Sequence, residues 1–257
     1  MTALLEARKL TVSIGDRVLC AALDLCLEER QSWAVLGPNG IGKSTLLRHL
    51  AGLSPGVNHK LYCAGDPLDR LTPRQRAQRI GLLLQHSDRG FGASVLDTVL
   101  TGRHPHLPHF AWEGRNDLAI ARQSLADLDL AALADRPLDQ LSGGELRRVD
   151  IARLLTQQPR IALLDEPLSH LDLGHQANCL KVLTARFIGH RRTLLMVLHD
   201  LNVAYRICDH WLLLGRDGAW RAGRREHLAD PETLHAVFDH PILRLDGPDG
   251  PWFQPRF

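Results

Sequence analysis

Nine residues, GPNGIGKST (37–45), fit the pattern G-x-x-x-x-G-K-[ST] and lie between a short apolar run, SWAVLG, and an amphipathic one, STLLRHLAG. That pattern suits phosphate. The stretch Gly37, Pro38, Asn39, Gly40, Ile41 and Gly42, with Thr45 beyond it, wraps backbone groups around the start of a helix, where free N–H groups attract anions. Lys43 is placed to reach the β- and γ-phosphates of a nucleoside triphosphate, and Ser44 to ligate Mg²⁺. A glycine-rich turn with no ligand is the bland alternative, and the flanking strand and helix argue against it.

Four further stretches carry candidate chemistry. RIALLDEP (160–167) ends an apolar run in two carboxylates. Successive side chains on a strand point to opposite sides, so Asp165 and Glu166 are expected to have separate tasks: Asp165 in a magnesium shell, Glu166 polarising an attacking water. By itself such a pair also reads as a helix cap or an ion-pair partner; downstream of a phosphate loop the catalytic reading gains. LHDLN (198–202) places His199 directly after another apolar run, where it is expected to meet the γ-phosphate or the water, with Asp200 capping the next helix. Gln85 closes the run IGLLL (80–84) and is a candidate ligand of Mg²⁺. Finally, LSGGELRRVD (141–150) opens an amphipathic run with Ser142, Gly143, Gly144 and Glu145, an anion site at a helix start but without a lysine.

These residues need a scaffold that delivers them to one place. LEARKLTVSI and RVLCAALDLCL read as strands joined by the turn signal Gly15-Asp16, and LYCAG as another. TPRQRAQR reads as a helix with Thr72 as N-cap and Pro73 in its first turn. From about residue 87 to residue 153 strand patterns give way to helical spacing, as at Leu118, Ala121, Leu125 and Leu128. IALLD, TLLMVL and WLLLG then return as short apolar runs between helices, the pattern of a parallel sheet covered on both faces.

Bulk properties narrow the class. The chain has 257 residues, 44% apolar and 23% charged, and 31 basic against 29 acidic side chains give a formal +2. That near-balance argues against a nucleic-acid-binding face. Five scattered cysteines without a C-x-x-C spacing fit reduced thiols, not a disulfide frame or zinc site. The N-terminus lacks the order of a signal peptide, and no apolar run approaches the ~20 residues of a membrane helix. His104, His106 and His109 invite a metal reading; Pro105 and Pro108 favour an extended loop in which three imidazoles converge poorly, with no carboxylate to complete a shell, so a solvated or partner-facing loop is expected. Arg191, Arg192, Arg224 and Arg225 read as surface charge.

Taken in order, the motifs resemble the ATP-binding-cassette (ABC) ATPases over nearly the whole chain. GPNGIGKST is similar to the Walker A loop, Gln85 to the Q-loop, LSGGE to the family signature, IALLDEP to the Walker B strand, SHLD (169–172) to the D-loop and His199 to the switch histidine. The resemblance implies an α/β protein: a P-loop NTPase core of ABC type with an N-terminal antiparallel β subdomain and an inserted α-helical subdomain. One domain is expected over residues 1–240, its core about 1–86 and 154–240 and its helical subdomain about 87–153, followed by a hairpin or tail at 241–257. ATP and Mg²⁺ are the implied cofactors. The implied assembly is a head-to-tail homodimer, or a pair with a second ABC subunit, in which Ser142, Gly143 and Gly144 of one chain hold the γ-phosphate bound by Lys43 of the other, with Glu145 beside them in the nucleotide-binding set.

SVLDTVLTGRHPHLPHF (94–110) and the stretch from WLLLG to HAVF resemble importer ATPases for metal chelates, of the iron-siderophore, haem and cobalamin kinds. That implies a bacterial importer with integral membrane permease subunits, a periplasmic solute-binding protein acting indirectly, no nucleic acid, and a peripheral place on the cytoplasmic face of the inner membrane. Val95 and Leu96 are expected near the permease dock. A molybdate-type oxyanion importer ATPase and a soluble ABC ATPase of the iron-sulfur assembly type are the alternatives; a P-loop kinase leaves LSGGE unexplained. Relatives usually carry an aromatic residue that stacks on adenine where this chain has Ile14, so weaker discrimination between ATP and GTP than in aromatic-bearing relatives is expected. Leu146 and Leu168 replace commoner polar residues, a change expected to bear on interface contacts and not on the chemistry.

Overall fold

The computed structural model describes residues 3–54, 60–85, 92–108, 111–248 and 250–256. β1 (Ala3–Ile14) and β2 (Arg17–Glu28) form a long antiparallel ribbon around the Gly15-Asp16 turn, with Ile14 opposite Arg17 at its tip. Register shifts between Ala7 and Leu10 and between Leu10 and Val12 give the ribbon the extra twist that bulges impose. β3 (Ser32–Leu36) is buried throughout and passes through the glycine loop into α1 (Lys43–Leu50). β4 (Leu61–Cys63) and β5 (Asp66–Pro67) complete a four-stranded sheet of order β2-β1-β4-β5. α2 (Pro73–Arg79) starts in a reciprocal cap between Thr72 and Gln75 and leads into β6 (Ile80–Leu83).

A helical stretch follows: α3 (Val95–Leu100), a 3₁₀ segment over Thr101–His106, α4 (Arg115–Asp127) and α5 (Gly143–Gln157). α5 runs past residue 153, where the sequence pattern put the end of the helical stretch. The chain then alternates β7 (Ile161–Asp165), α6 (Leu173–Phe187), β8 (Thr193–Val197), α7 (Leu201–Ile207) and β9 (His210–Leu214). β10 (Trp220–Arg224), α8 (Arg225–Leu228) and α9 (Pro231–Phe238) precede an antiparallel hairpin of β11 (Ile242–Gly247) and β12 (Gly250–Pro255). The amide of Asn202 on α7 exchanges two hydrogen bonds with the backbone of Phe253, which seats this hairpin.

The central sheet has the order β10-β9-β3-β8-β7-β6, parallel except for β10. β3, β7 and β8 are buried at every residue, because helices and the antiparallel sheet cover both faces and leave no side of a strand for water. The result is a mixed α/β fold with an antiparallel N-terminal sheet and helical elements. Among the described residues no helix is long and apolar enough to cross a membrane. Four of the five cysteines are buried and all are unpaired; burial raises the thiol of Cys20 to about 12 and that of Cys179 to about 11.

Several expectations meet a different outcome. The segment holding His104 and His106 is a 3₁₀ turn, not an extended loop, since Arg74 and Gln78 of α2 both donate to the carbonyl of Pro105 and fold it against them. A carboxylate does lie there: Glu113 is 3.3 Å from His104, while His106 bonds the carbonyl of Gln157. His109 falls outside the described residues. Among those described, no group of three metal-ligating side chains is assembled. Val95 is wholly buried and Leu96 packs partly against the same core, so Val95 presents nothing to a partner. Leu146 is buried in this core and Leu168, half-buried, packs against it, because an apolar side chain has more to gain there than at a wet surface. Arg191 is surface charge as expected, 67% exposed and paired with Glu29, whereas Arg225 is half-buried, lies 4.7 Å over the Tyr205 ring and donates to the Tyr205 carbonyl.

Arg103 fixes the 3₁₀ segment to α4 and to the end of α5. Its buried side chain donates to half-buried Asp117 at 2.8 Å and to the carbonyl of Thr156 at 3.1 Å. The Arg103 guanidinium and the Gly114 N–H hold the Asp117 carboxyl below its usual range. A carboxyl with a depressed folded-state pKa adds stability above its unfolded value, and that stability is lost as pH falls through the folded one. Arg103→Met is therefore expected to lower the unfolding free energy by about 3 kcal/mol at neutral pH, and the gap from the unaltered chain should narrow below about pH 4. Urea denaturation across pH checks both; a gap independent of pH would remove the ion pair from the account.

Candidate functional site

The parallel ladder brings the site together. Val35 of β3 and Asp165 of β7 both stand opposite Val197 of β8, and Leu83 of β6 stands opposite Leu164. Four neighbouring strands thus end level, and the loops leaving their carboxyl ends meet over one edge of the sheet, where open α/β folds hold ligands. A cleft of about 550 Å³ there is lined by Ile14, Asn39, Gly40, Gly42, Lys43, Ser44, Thr45, Gln85, Glu166 and His199. Asp165 lies beneath it, buried.

Within the loop, Gly42 caps α1 at φ 106°, and a Cβ there would stand 2.4 Å from a methyl of Leu19, so only glycine fits both the backbone and the space. Ile41 points its side chain into the core and leaves its backbone to the loop. Lys43 folds across the loop: its Nζ donates to the carbonyls of Gly37 and Pro38 at 2.8 and 2.9 Å. Burial holds its pKa below the usual lysine value, against the pull of Glu166 and Asp165. An entering phosphate offers this ammonium a charged acceptor in place of two neutral ones.

The two carboxylates separate for a reason that strand alternation does not supply. β7 ends at Asp165, and Glu166 already lies in the left-handed region at φ 48°, its carbonyl accepting from the N–H and hydroxyl of Ser169. That turn swings Glu166 out while Asp165 stays buried. Burial raises the Asp165 pKa, the Ser44 hydroxyl opposes the rise, and Glu166 adds to it. Glu166 is held from both sides: His199 Nε2 lies 2.6 Å from Oε1, and Gln85 Nε2 donates to Oε2 at 3.1 Å. Gln85 thus meets the carboxylate through its amide nitrogen. Asp200 caps α7 through Asn202 and Val203, which fixes the backbone beside His199.

Ser142, Gly143, Gly144 and Glu145 are not in this cleft. They line a second one of about 450 Å³ with Arg148, His170, Leu171, Asp172 and His175, and among the described residues the two clefts share none. Here Ser142 and Glu145 form a reciprocal cap: Glu145 Oε2 accepts from the Ser142 N–H and hydroxyl, both at 2.7 Å. Those bonds hold the Glu145 carboxyl below its usual range. Glu145 is therefore an internal anion at the helix start and not a donor. Gly144 is required by packing, since a Cβ would come 2.9 Å from the His170 carbonyl; at Gly143 the space is open enough for an ordinary contact, so its bareness leaves the N-terminus accessible.

Sequence reasoning missed Arg147. It is buried on α5 and donates to the carbonyls of Leu84, Asp165 and Glu166. The signal was helical spacing: Arg147 shares a face with Ile151 and Leu154, both buried, where a charge must find acceptors.

A strand, a glycine loop, a helix and carboxylates on the neighbouring strand end define a P-loop nucleoside triphosphatase. The chain belongs to the ABC transporter family, whose profile matches residues 20–169, and binding and hydrolysing nucleotide in service of transport is its activity. It is 38% identical over 254 residues to the hemin import ATP-binding protein HmuV of Myxococcus xanthus, covering 96% of this chain and 94% of that one. A solved metal-chelate type ABC transporter in an inward-facing conformation matches with TM-score 0.85 at 30% identity, covering 99% and 98% of the two chains. A dimeric ATP-binding cassette in a post-hydrolysis state with ADP and Pi matches with TM-score 0.74 at 25% identity, covering 86% and 98%.

Ile14, 55% exposed at the ribbon tip, lines the cleft with an apolar side chain and no ring. An aromatic face adds ~0.5–1.5 kcal/mol to stacking, so Ile14→Tyr is expected to tighten ATP binding by about two- to twelve-fold. The unaltered chain should hydrolyse ATP and GTP with similar efficiency. Parallel titrations with both nucleotides check this, and a large native preference for ATP contradicts it.

Proposed function

We propose that the chain is the ATP-hydrolysing subunit of a bacterial importer for metal chelates of the iron-siderophore, haem or cobalamin kind. It works as a head-to-tail homodimer, or paired with a second ABC subunit, on the cytoplasmic face of the inner membrane. Integral membrane permease subunits carry the solute, received from a periplasmic binding protein. Likeness to the hemin import protein and to the metal-chelate transporter supports the solute class. The observation that carries the mechanism is the separation of the two clefts: among the described residues the signature donors share no lining with the phosphate loop of their own chain, so a second copy is the natural source of the missing contacts. Residues 1–240 act as one ATPase domain, with about 1–86 and 154–240 as its core and about 87–153 as the helical part that answers to the permease.

In this reading the loop from Gly37 to Thr45 cradles the β-phosphate and Lys43 takes the γ-phosphate. Asp165 fits a cation: its Oδ1 is buried without a partner among the described residues, beside the Ser44 hydroxyl. Ser44, Asp165 and the amide oxygen of Gln85 would hold Mg²⁺, which neutralises phosphate charge when bound. Glu166 accepts a hydrogen bond from the attacking water and orients it in line with the γ-phosphate. His199, already in contact with Glu166, holds that carboxylate and donates toward the γ-phosphate. Ser142, Gly143 and Gly144 of the other copy supply N–H and hydroxyl donors to the same phosphate, with Glu145 releasing the Ser142 hydroxyl as they engage. Hydrolysis removes the group that both copies grip, and the dimer loses what closed it.

Glu166→Gln is expected to bind ATP and form a stable dimer while turnover falls at least ~100-fold. Light scattering after gel filtration and phosphate release read the two properties, and persistent hydrolysis would displace Glu166 from its task. With Val95 interior, Trp112, 89% exposed beside the 3₁₀ turn, is the apolar group offered to the permease. Trp112→Asp is expected to abolish copurification with the permease subunits and leave the ATPase of the free subunit unchanged; intact copurification refutes that dock.

A further inference from the structure

The signature donors and the hydrolytic residues of a single chain are far apart in role, yet one buried side chain joins them. Arg147 sits on α5, one turn after Gly143 and Gly144. Its Nη1 donates to the Leu84 carbonyl at 2.7 Å, and its Nη2 donates to the Glu166 carbonyl at 2.8 Å and to the Asp165 carbonyl. Leu84 is the residue before Gln85, so the three acceptors lie on the two loops that carry Gln85 and the carboxylate pair. A planar guanidinium holds such acceptors in a fixed fork, and a buried one cannot replace them with water. The first turn of α5 is thereby tied to the backbone of both loops.

This tie has a consequence in the head-to-tail assembly proposed above, on which the inference rests. There the first turn of α5 grips the nucleotide of the other copy, while Leu84, Asp165 and Glu166 frame the nucleotide of their own. We propose that Arg147 is the positioning residue that couples the two ATP sites of the dimer. When α5 is drawn toward the triphosphate across the interface, the three bonds carry the main chain at Gln85 and Glu166 with it. Occupation of one site so sets the geometry of the water-polarising carboxylate in the other. The coupling is reciprocal, since both copies hold the same bridge. Arg147 touches neither nucleotide; it acts through Gln85 and Glu166.

The test uses the full chain and two variants. Arg147→Lys keeps the charge and loses the fork, and Arg147→Gln keeps amide donors on a shorter stem. Initial ATPase rates across ATP concentration give a Hill coefficient, and binding of a fluorescent ATP analogue to dilute monomers gives the intrinsic affinity. The unaltered chain is expected to approach a coefficient of about 2, the number of sites. Both variants should fall to about 1, with monomer affinity changed less than about twofold, a pattern that mere structural damage does not produce. A coefficient kept near the native value in either folded variant overturns the proposal, as does a native coefficient of about 1 or a loss of monomer affinity that accounts for the lost rate. The Glu166→Gln chain separates the two levels. If it stays monomeric with ATP, the two-copy reading fails; if it dimerises while the Arg147 variants remain cooperative, only the coupling through Arg147 fails.

Discussion

Parallel strands that end level are the constraint on which the site depends. The ladder from β6 through β7 and β8 to β3 keeps one register, so Gln85, Glu166, His199 and the glycine loop leave the sheet at the same height although they are scattered over more than a hundred positions of chain. That ladder is stable because the strands are apolar on both faces and are covered on both, which leaves the backbone no competing partner in water. A shift of one residue along β7 would reverse its side chains and turn Asp165 toward the opposite face of the sheet.

Charge is handled at this edge by distributing it. Asp165 is kept buried beside Ser44 with an oxygen unpartnered among the described residues, while the left-handed turn at Glu166 takes the second carboxylate out to His199 and Gln85. Two adjacent carboxylates on one strand end would repel in the same space; a backbone turn gives each its own surroundings. The left-handed conformation of a non-glycine residue costs about 1–3 kcal/mol, and the bonds from Ser169 to the Glu166 carbonyl help offset it.

The helical part has a different logic. α5 begins with a cap that is complete within the chain, Glu145 against Ser142, and it is anchored by two arginines, Arg147 to the site loops and Arg148 to the Leu128 carbonyl. The helix is therefore a rigid lever with a satisfied but exchangeable N-terminus. In the proposed dimer, replacing the Glu145 carboxylate by a phosphate would exchange one anion for another at the same dipole end, with little rearrangement of the helix itself.

Much of this was legible in the residue order alone. Motif spacing marked the glycine loop, the carboxylate pair, the histidine and the LSGGE helix start as candidates, because local chemistry demands particular residue types at short separations: glycine where a backbone turns left-handed, a lysine beside a helix start, a hydroxyl or carboxylate at a cap. The apolar runs announced a covered parallel sheet for the same local reason. Decisions involving residues distant along the chain were hidden. The pattern around Pro105 suggested an extended loop, but α2 supplied donors that wound it into a turn; Val95 was expected near a permease dock and is core; the cap that Glu145 makes with Ser142 within one chain was not foreseen; and Arg147 had no motif to mark it, since its acceptors are carbonyls some 20 to 60 positions away. Sequence determined which groups exist and which local conformations they prefer, whereas only packing decided which buried donor meets which carbonyl, because a backbone acceptor carries no side-chain signature and is chosen by proximity in space.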